Sequence, residues 1–338
     1  MEYLWIKVDF SAFYGILVKD IRYFGDFLIL IFLFRGINMT TIASRPMSPD
    51  LESFTLVNWI QVLVMPHITD YVKKKKERWS KGLRKSNFIL FDGLSPHLDL
   101  IRSTAGQSRS LLEIYNFFPN LKWYHTFHPS IWISAFWESM LNAKAVRNRY
   151  RLTKSTLSSA ISLKGDGARI LELAAGTSQA LLETIASCKK NGIRVFATLV
   201  DVSEISLAEA RQLALQLGVE DQIETVVQDL VSYLKNNHKT KRFDVIEMVG
   251  IADYLSDKTL AFTYSLSYKM LQRGGKLITA NIHDNHEKDF VHTVIDWPSM
   301  FYRNLAHMRD VLQDAGFTVP HVFKEPTEVY VIGVGQKE

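Results

Sequence analysis

The chain has 338 residues, 47% of them hydrophobic and 22% charged, with a net charge of +5; these are ordinary globular proportions, and the length suggests one to one and a half domains. The mild charge and the lack of any RNA-binding motif argue against nucleic acid as a partner. A single cysteine, Cys188, leaves no internal disulfide, so a reducing, cytoplasmic setting is expected.

The first 38 residues contain FLILIFLF (27–34), an apolar run bounded by Asp26 and Arg35. It falls well short of the ~20 residues needed to span a bilayer. No small-x-small cleavage site follows it, so a signal peptide fits poorly. Two readings stay open: a hydrophobic helix packed on the body, or an upstream extension from a mis-assigned start codon, since Met39 opens a polar MTTIASRPMSPD.

Residues 39–142 read as a helical piece. SPDLESFTLVNWIQVLVMPHITDYVKK starts with helix-capping residues and has apolar residues at helical spacing. The run 73–85 holds eight Lys or Arg against one Glu; it reads as a solvated helix face or loop, with an anionic surface as the alternative. The segment 117–140 is dense in Phe, Tyr, Trp and His, which usually means core packing. His125 with His128, and His283 with His286, have no third ligand at metal-binding spacing, so no metal is expected.

A helix over 143–161 carries Arg147, Tyr150 and Arg151 on nearby turns. The stretch 168–180, ARILELAAGTSQA, follows it: an apolar run ending in Glu172, then small residues around Gly176, then a helix start. That is the first turn of a nucleotide-binding βα unit, with so little side-chain bulk that a ligand can lie against the backbone. A second strand over 194–200 ends in Asp201, whose carboxylate can accept from both hydroxyls of a ribose; capping of the next helix is the competing role, one that Ser203 or Ser206 can also fill. A third strand ends at Gln228-Asp229-Leu230, a fourth starts at Phe243, and 271–282 reads as a helix end, a Gly274-Gly275 turn and a fifth strand. Strands alternating with helices argue for a parallel sheet with right-handed crossovers. An amphipathic helix over 297–317 and two β-rich runs, 318–326 and 328–337, complete the chain.

Glu172, Ala174, Gly176 and Ser178 fall on an acidic-x-Gly-x-Gly-x-Gly pattern. With Asp201, Asp229 and the closing pair of β runs in order behind it, the segment from about 145 to 338 resembles the class I S-adenosylmethionine-dependent methyltransferases, with alanine and serine at the two outer glycine positions. The resemblance implies an α/β fold: a Rossmann-like, seven-stranded, mostly parallel sheet closed by a C-terminal antiparallel hairpin over 143–338, with the preceding helical region as a lid whose aromatic segment supplies an acceptor pocket. It implies S-adenosyl-L-methionine as cofactor, held by Glu172, Ala174, Gly176 and Ser178, by Asp201 and Val202, by Asp229 and Leu230 around the adenine, and by Glu247 and Met248. Tyr150 or Arg147 would meet the methionine carboxylate.

Chemistry would then come from the loops after the fourth and fifth strands, with Asp253, Tyr254 and His283 as candidate catalytic residues and His283 as general base. Methyl transfer from a sulfonium can also run by positioning alone. The Asn/Asp-Pro-Pro-Tyr signature of amino-group methylation on nucleobases or glutamine is absent. The expectation is therefore a transferase moving a methyl group to an oxygen or nitrogen of a small-molecule acceptor, without a membrane span, and compatible with a homodimer. Two alternatives remain open: transfer or cyclisation of the aminocarboxypropyl arm, releasing methylthioadenosine, and a non-catalytic binding protein on the same fold.

Overall fold

The computed structural model describes residues 50–77, 87–121 and 128–338, which fall in one compact unit, Pro49–Glu338. The apolar run 27–34, the extension 1–38, His125 and the basic residues at 78–85 lie outside the described residues. Helix α1 (Leu56–Glu77) is followed by a π-helical turn at Ile89–Gly93, then α2 (Pro96–Ser103), α3 (Ser108–Asn120), α4 (Pro129–Glu138) and the long α5 (Leu141–Lys164). Of the lysine run, Lys76 donates to Thr293 O at 2.7 Å and Lys75 to Asn87 O at 3.2 Å, while Lys73 lies 3.8 Å from Asp289. These basic side chains pair with the protein itself.

From α5 onward strands and helices alternate: β1 (Ala168–Leu173), α6 (Gln179–Lys190), β2 (Val195–Asp201), α7 (Glu204–Leu217), β3 (Ile223–Val227), α8 (Leu230–Asn237), β4 (Phe243–Met248), α9 (Asp257–Met270) and β5 (Leu271–Ile282). Two further helices, α10 (Lys288–Thr293) and α11 (Leu305–Asp314), precede β6 (His321–Lys324) and β7 (Tyr330–Gln336). The strands form one seven-stranded sheet in the order β3-β2-β1-β4-β5-β7-β6. β1 to β5 pair in parallel, and β7 runs antiparallel between β5 and β6. The chain-order reversal lies between β1 and β4, and in open α/β sheets ligands bind in the crevice above the strand ends at that point.

Local chemistry explains the helix starts. Ser203 accepts from Ser206 N at 3.1 Å, Asp229 from Ser232 N at 2.9 Å and Ser256 from Thr259 N, each satisfying an amide that the first turn leaves unpaired. α7 stops at Gly218 in the left-handed conformation.

Two elements differ from the sequence expectation. α9 runs to Met270 and β5 begins at Leu271, so Gly274 and Gly275 lie inside a strand, where pairing with β4 shifts between Phe243 and Val245. A Cβ on Gly275 would sit 2.9 Å from Gln272 O and 3.0 Å from Asp244 O, so glycine permits the bulge. The helix expected over 297–317 is confined to Leu305–Asp314, with Asn304 accepting from His307 N at 2.9 Å. Upstream, the backbone is spent on tertiary bonds: Phe301 N donates to Asp253 O at 2.7 Å and Arg303 N to Ile282 O at 2.9 Å. Residues 297–304 therefore run extended across the ends of the strands.

The helical segment and the sheet share one core. Met65, Phe91, Leu98, Trp137 and Val146 pack in a single cluster with Ala280, Ile282, Phe290 and Tyr330. Polar links join them as well: Glu287, fully buried, accepts from Leu141 N at 2.9 Å and Asn142 N at 2.8 Å, capping α5. The boundary expected near 142 falls in the first turn of α5, within this shared core. Among the described residues, no helix is long and apolar enough to cross a membrane.

Candidate active site

A cavity of about 680 Å³ opens above the C-terminal ends of β1, β2 and β4, within the ~300–1,000 Å³ typical of small-molecule sites. Its floor is the loop Ala174–Ser178. Ala174, Gly176 and Ser178 all have positive φ, at 55°, 55° and 54°. The backbone thus takes at 174 and 178 the left-handed form that glycine adopts freely, with alanine and serine in its place; each non-glycine residue costs about 1–2 kcal/mol. Ser178 gains a compensating contact, its hydroxyl donating to Glu172. Gly176 N donates to Asp201 Oδ2 at 2.8 Å and Ser203 N to Asp201 Oδ1 at 2.8 Å. Asp201 therefore stitches the tip of β2 to the loop and to the start of α7, and each oxygen keeps acceptor capacity. Beside it Val202 is 69% exposed and lines the cavity.

Glu172 and Glu247 are register partners on β1 and β4, and both line the cavity although only 5% and 3% exposed. Burial raises the Glu172 carboxyl to about 7 against the pull of its hydrogen bonds with Glu247 and Ser178. Burial, and then the charge of Glu172, hold Glu247 well above the usual carboxylate range. Two desolvated carboxyls side by side share protons and favour a cationic guest.

Asp229 and Leu230 line the cavity below β3, Asp229 also capping α8. Tyr150 lines it from α5, stacked on Tyr115 at 4.7 Å between centroids, its hydroxyl donating to Glu183 at 2.6 Å. Asp253 accepts from Ile282 N at 2.6 Å and Tyr254 Oη from Trp297 Nε1 at 2.8 Å. Both border the cavity; burial pushes the Tyr254 hydroxyl up to about 12 and raises the Asp253 carboxyl.

Three expected residues are not in this site. Arg147 is buried in an ion network, with Nη1 on Glu138 at 2.8 Å and Nε and Nη2 on Glu52 at 2.7 and 2.8 Å, and does not line the cavity. Met248 points to the opposite face of β4, among Leu171, Leu173 and Ile246, because strand side chains alternate; Glu247 and Val249 are the cavity residues there. His283 faces away, with Nδ1 2.7 Å from Asp284 O, and among the described residues no histidine lines the cavity. Arg149, which the sequence reading passed over, enters instead: 2% exposed, centred 4.5 Å over the Tyr330 ring and 3.7 Å from Asp253.

A second, apolar cavity of about 60 Å³ adjoins under the helical segment, walled by residues such as Phe91, Leu98, Trp137 and Met300. Trp297 and Tyr330 border both cavities. The aromatic segment contributes Trp137 here. Among the described residues no cluster of three His, Cys, Asp or Glu is placed to hold a metal ion.

Residues 164–326 match the family of methyltransferase domains. The seven-stranded order with the reversed β7 agrees with that match. Residues 164–326 form a methyltransferase domain of the Rossmann-like class I fold. Among solved structures, a possible exported protein from Bordetella parapertussis is 15% identical with a TM-score of 0.59, the match covering 81% of this chain and 96% of that one. An O-methyltransferase family protein from Burkholderia thailandensis is 14% identical at TM-score 0.45, covering 68% and 71%. A magnesium protoporphyrin IX methyltransferase from Synechocystis is 14% identical at TM-score 0.45, covering 57% and 85%. At 15% identity the first of these shows likeness of fold alone. No curated protein matches the chain. In the first of these comparisons the similarity extends beyond the methyltransferase domain into the helical segment, given its 81% coverage.

Proposed function

We propose that the protein is an S-adenosylmethionine-dependent methyltransferase acting on an oxygen or nitrogen of a small molecule. The observation that carries the reading is the buried Glu172–Glu247 pair facing the cavity beside a loop whose residues 174, 176 and 178 all take the left-handed form. The donor set fits the cofactor: two carboxyls for its cationic amino acid end, Asp201 for its ribose, and Val202, Asp229 and Leu230 for its adenine. The first turn of α6, with Tyr150 beside it, would receive the methionine carboxylate. When bound, the sulfonium supplies an electrophilic methyl carbon.

The chain's own residues then position and exclude water. Trp297 and Tyr330 close the side of the cavity toward the helical segment, and the extended run 297–304 lies over Asp253 and Ile282. Holding acceptor and methyl in line is worth up to ~7–11 kcal/mol of the barrier in favourable systems. Asp253 and Tyr254 fix the shape of the acceptor side through their bonds to Ile282 N and Trp297 Nε1.

Calorimetry with S-adenosylhomocysteine tests the cofactor site, with micromolar binding expected, and Asp201→Asn should weaken it about tenfold. Product analysis with S-adenosylmethionine tests the reaction. Methylthioadenosine formed without an acceptor would reject methyl transfer in favour of attack on the aminocarboxypropyl arm.

A further inference from the structure

Among the described residues, Arg149 is a cavity-lining group whose bonding in the fold is incomplete. A guanidinium carries five N–H donors, yet this one, 2% exposed, makes a single long bond, Nη2 to Tyr115 Oη at 3.5 Å. Its Nε is buried without a partner. Asp253 offsets its charge from 3.7 Å, too far for a hydrogen bond, and accepts instead from Ile282 N at 2.6 Å and Tyr330 Oη at 3.4 Å. A buried guanidinium with most of its N–H donors unfilled is costly unless a ligand completes them.

Its location narrows the ligand. The guanidinium carbon sits 4.5 Å from the centroid of the Tyr330 ring, near Gly250 just past the end of β4. Tyr330 also borders the small apolar cavity. At about 60 Å³ that cavity is less than half the ~150 Å³ known to hold a benzene ring, so it suits a short alkyl end. Neither cavity is lined by a histidine among the described residues, which favours an acceptor that is already nucleophilic and needs no base.

We propose that the acceptor is a small aliphatic carboxylate, its carboxylate held by Arg149 and its alkyl end directed past Tyr330 into the apolar cavity. This rests on the methyltransferase reading. One carboxylate oxygen forms a C–O bond to the methyl carbon as the C–S bond breaks, its electron pair passing to sulfur. The products are a methyl ester and S-adenosylhomocysteine, and no proton moves.

The test is calorimetry on protein saturated with S-adenosylhomocysteine, titrated with hexanoate, hexanamide or hexanol. Hexanoate should bind about tenfold tighter than the two neutral probes. In Arg149→Gln that preference should vanish, while the affinity for S-adenosylhomocysteine stays within about threefold. Arg149→Lys, which keeps the charge in the fold, should retain part of the preference and covers the case in which the glutamine variant does not fold. Equal binding of the three probes to wild type overturns the proposal and leaves the methyltransferase reading standing. So does a loss of S-adenosylhomocysteine affinity in the Arg149 variants of about tenfold or more, which would assign the guanidinium to the cofactor's own carboxylate. No S-adenosylhomocysteine binding by wild type overturns the methyltransferase reading, and this proposal with it.

Discussion

Raising the pH of the cofactor-free protein from roughly 5.5 to 8 drives ionisation of Glu172, one of two carboxyls that the fold buries side by side at the ends of β1 and β4. Glu172 titrates near 7 in place of 4.5 because burial penalises its charge, and burial, with the neighbouring Glu172, holds Glu247 well above the usual carboxylate range. A group whose folded pKa lies above its unfolded one contributes its full stability below the unfolded value, and that contribution is lost as the pH rises through the folded value. For Glu172 alone the displacement corresponds to roughly 3 kcal/mol. Roughly 2 kcal/mol of this falls between pH 5.5 and 8, and at about 2 °C per kcal/mol for a chain of this size the melting temperature should drop by about 4 °C across the window.

Differential scanning fluorimetry at several pH values, on wild type and on the double variant Glu172→Gln/Glu247→Gln, isolates the pair. Histidines and surface groups titrate in both proteins and cancel, so the difference between the two curves should grow with pH. S-adenosylmethionine, which carries a sulfonium and an ammonium, should raise the wild-type melting temperature more at pH 8 than at about pH 5.5. Parallel curves for wild type and double variant would refute the reasoning, since the pair would then be ionised at no cost or solvated.

Three other outcomes follow from the geometry. Arg147→Met leaves Glu138 buried without its guanidinium, so unfolding should cost about 3–5 kcal/mol less, measured in urea, while S-adenosylhomocysteine affinity of the folded protein is unchanged. Ala174→Gly should be stabilising by up to about 1 kcal/mol, because the residue sits at φ 55°; a clear loss of stability would mean that the methyl group packs usefully. His283→Ala should leave the turnover rate within about twofold of wild type, because the imidazole lies outside the cavity.

Much of the fold was legible because its signals are local. Each parallel strand ends in, or is followed within two residues by, a polar or small residue, and Ser203, Asp229 and Ser256 cap the helices that follow. The positions of Ala174 and Ser178 in the glycine pattern also held information: the loop needs left-handed backbone there whether or not glycine supplies it. Asp201, Val202, Asp229 and Leu230 all reach the cavity because strand ends and first helical turns converge at the switch point of any such sheet.

What failed depended on orientation. Arg147 and Arg149 are two positions apart on one helix, so they lie on nearly opposite faces, and only the packing of α5 against the sheet decides which guanidinium meets the cavity. Met248 and Glu247 differ in the same way on a strand. The periodicity of 297–317 is genuinely helical, but the first third of it is pulled straight by Asp253 O and Ile282 O, an arrangement made by residues distant in the chain.

The amino-acid sequence by itself determined the order of elements, the small-residue loop after β1 and the acids at the strand tips, since each follows from backbone preference and spacing within a few residues. The tertiary structure alone decided that Glu172 and Glu247 face one another, that Arg149 and not Arg147 is the cation of the site, and that a small apolar cavity lies behind Tyr330. Those facts arise from burial and from the convergence of separate segments, and electrostatics in a desolvated site depends on three-dimensional distance, which spacing along the chain does not encode.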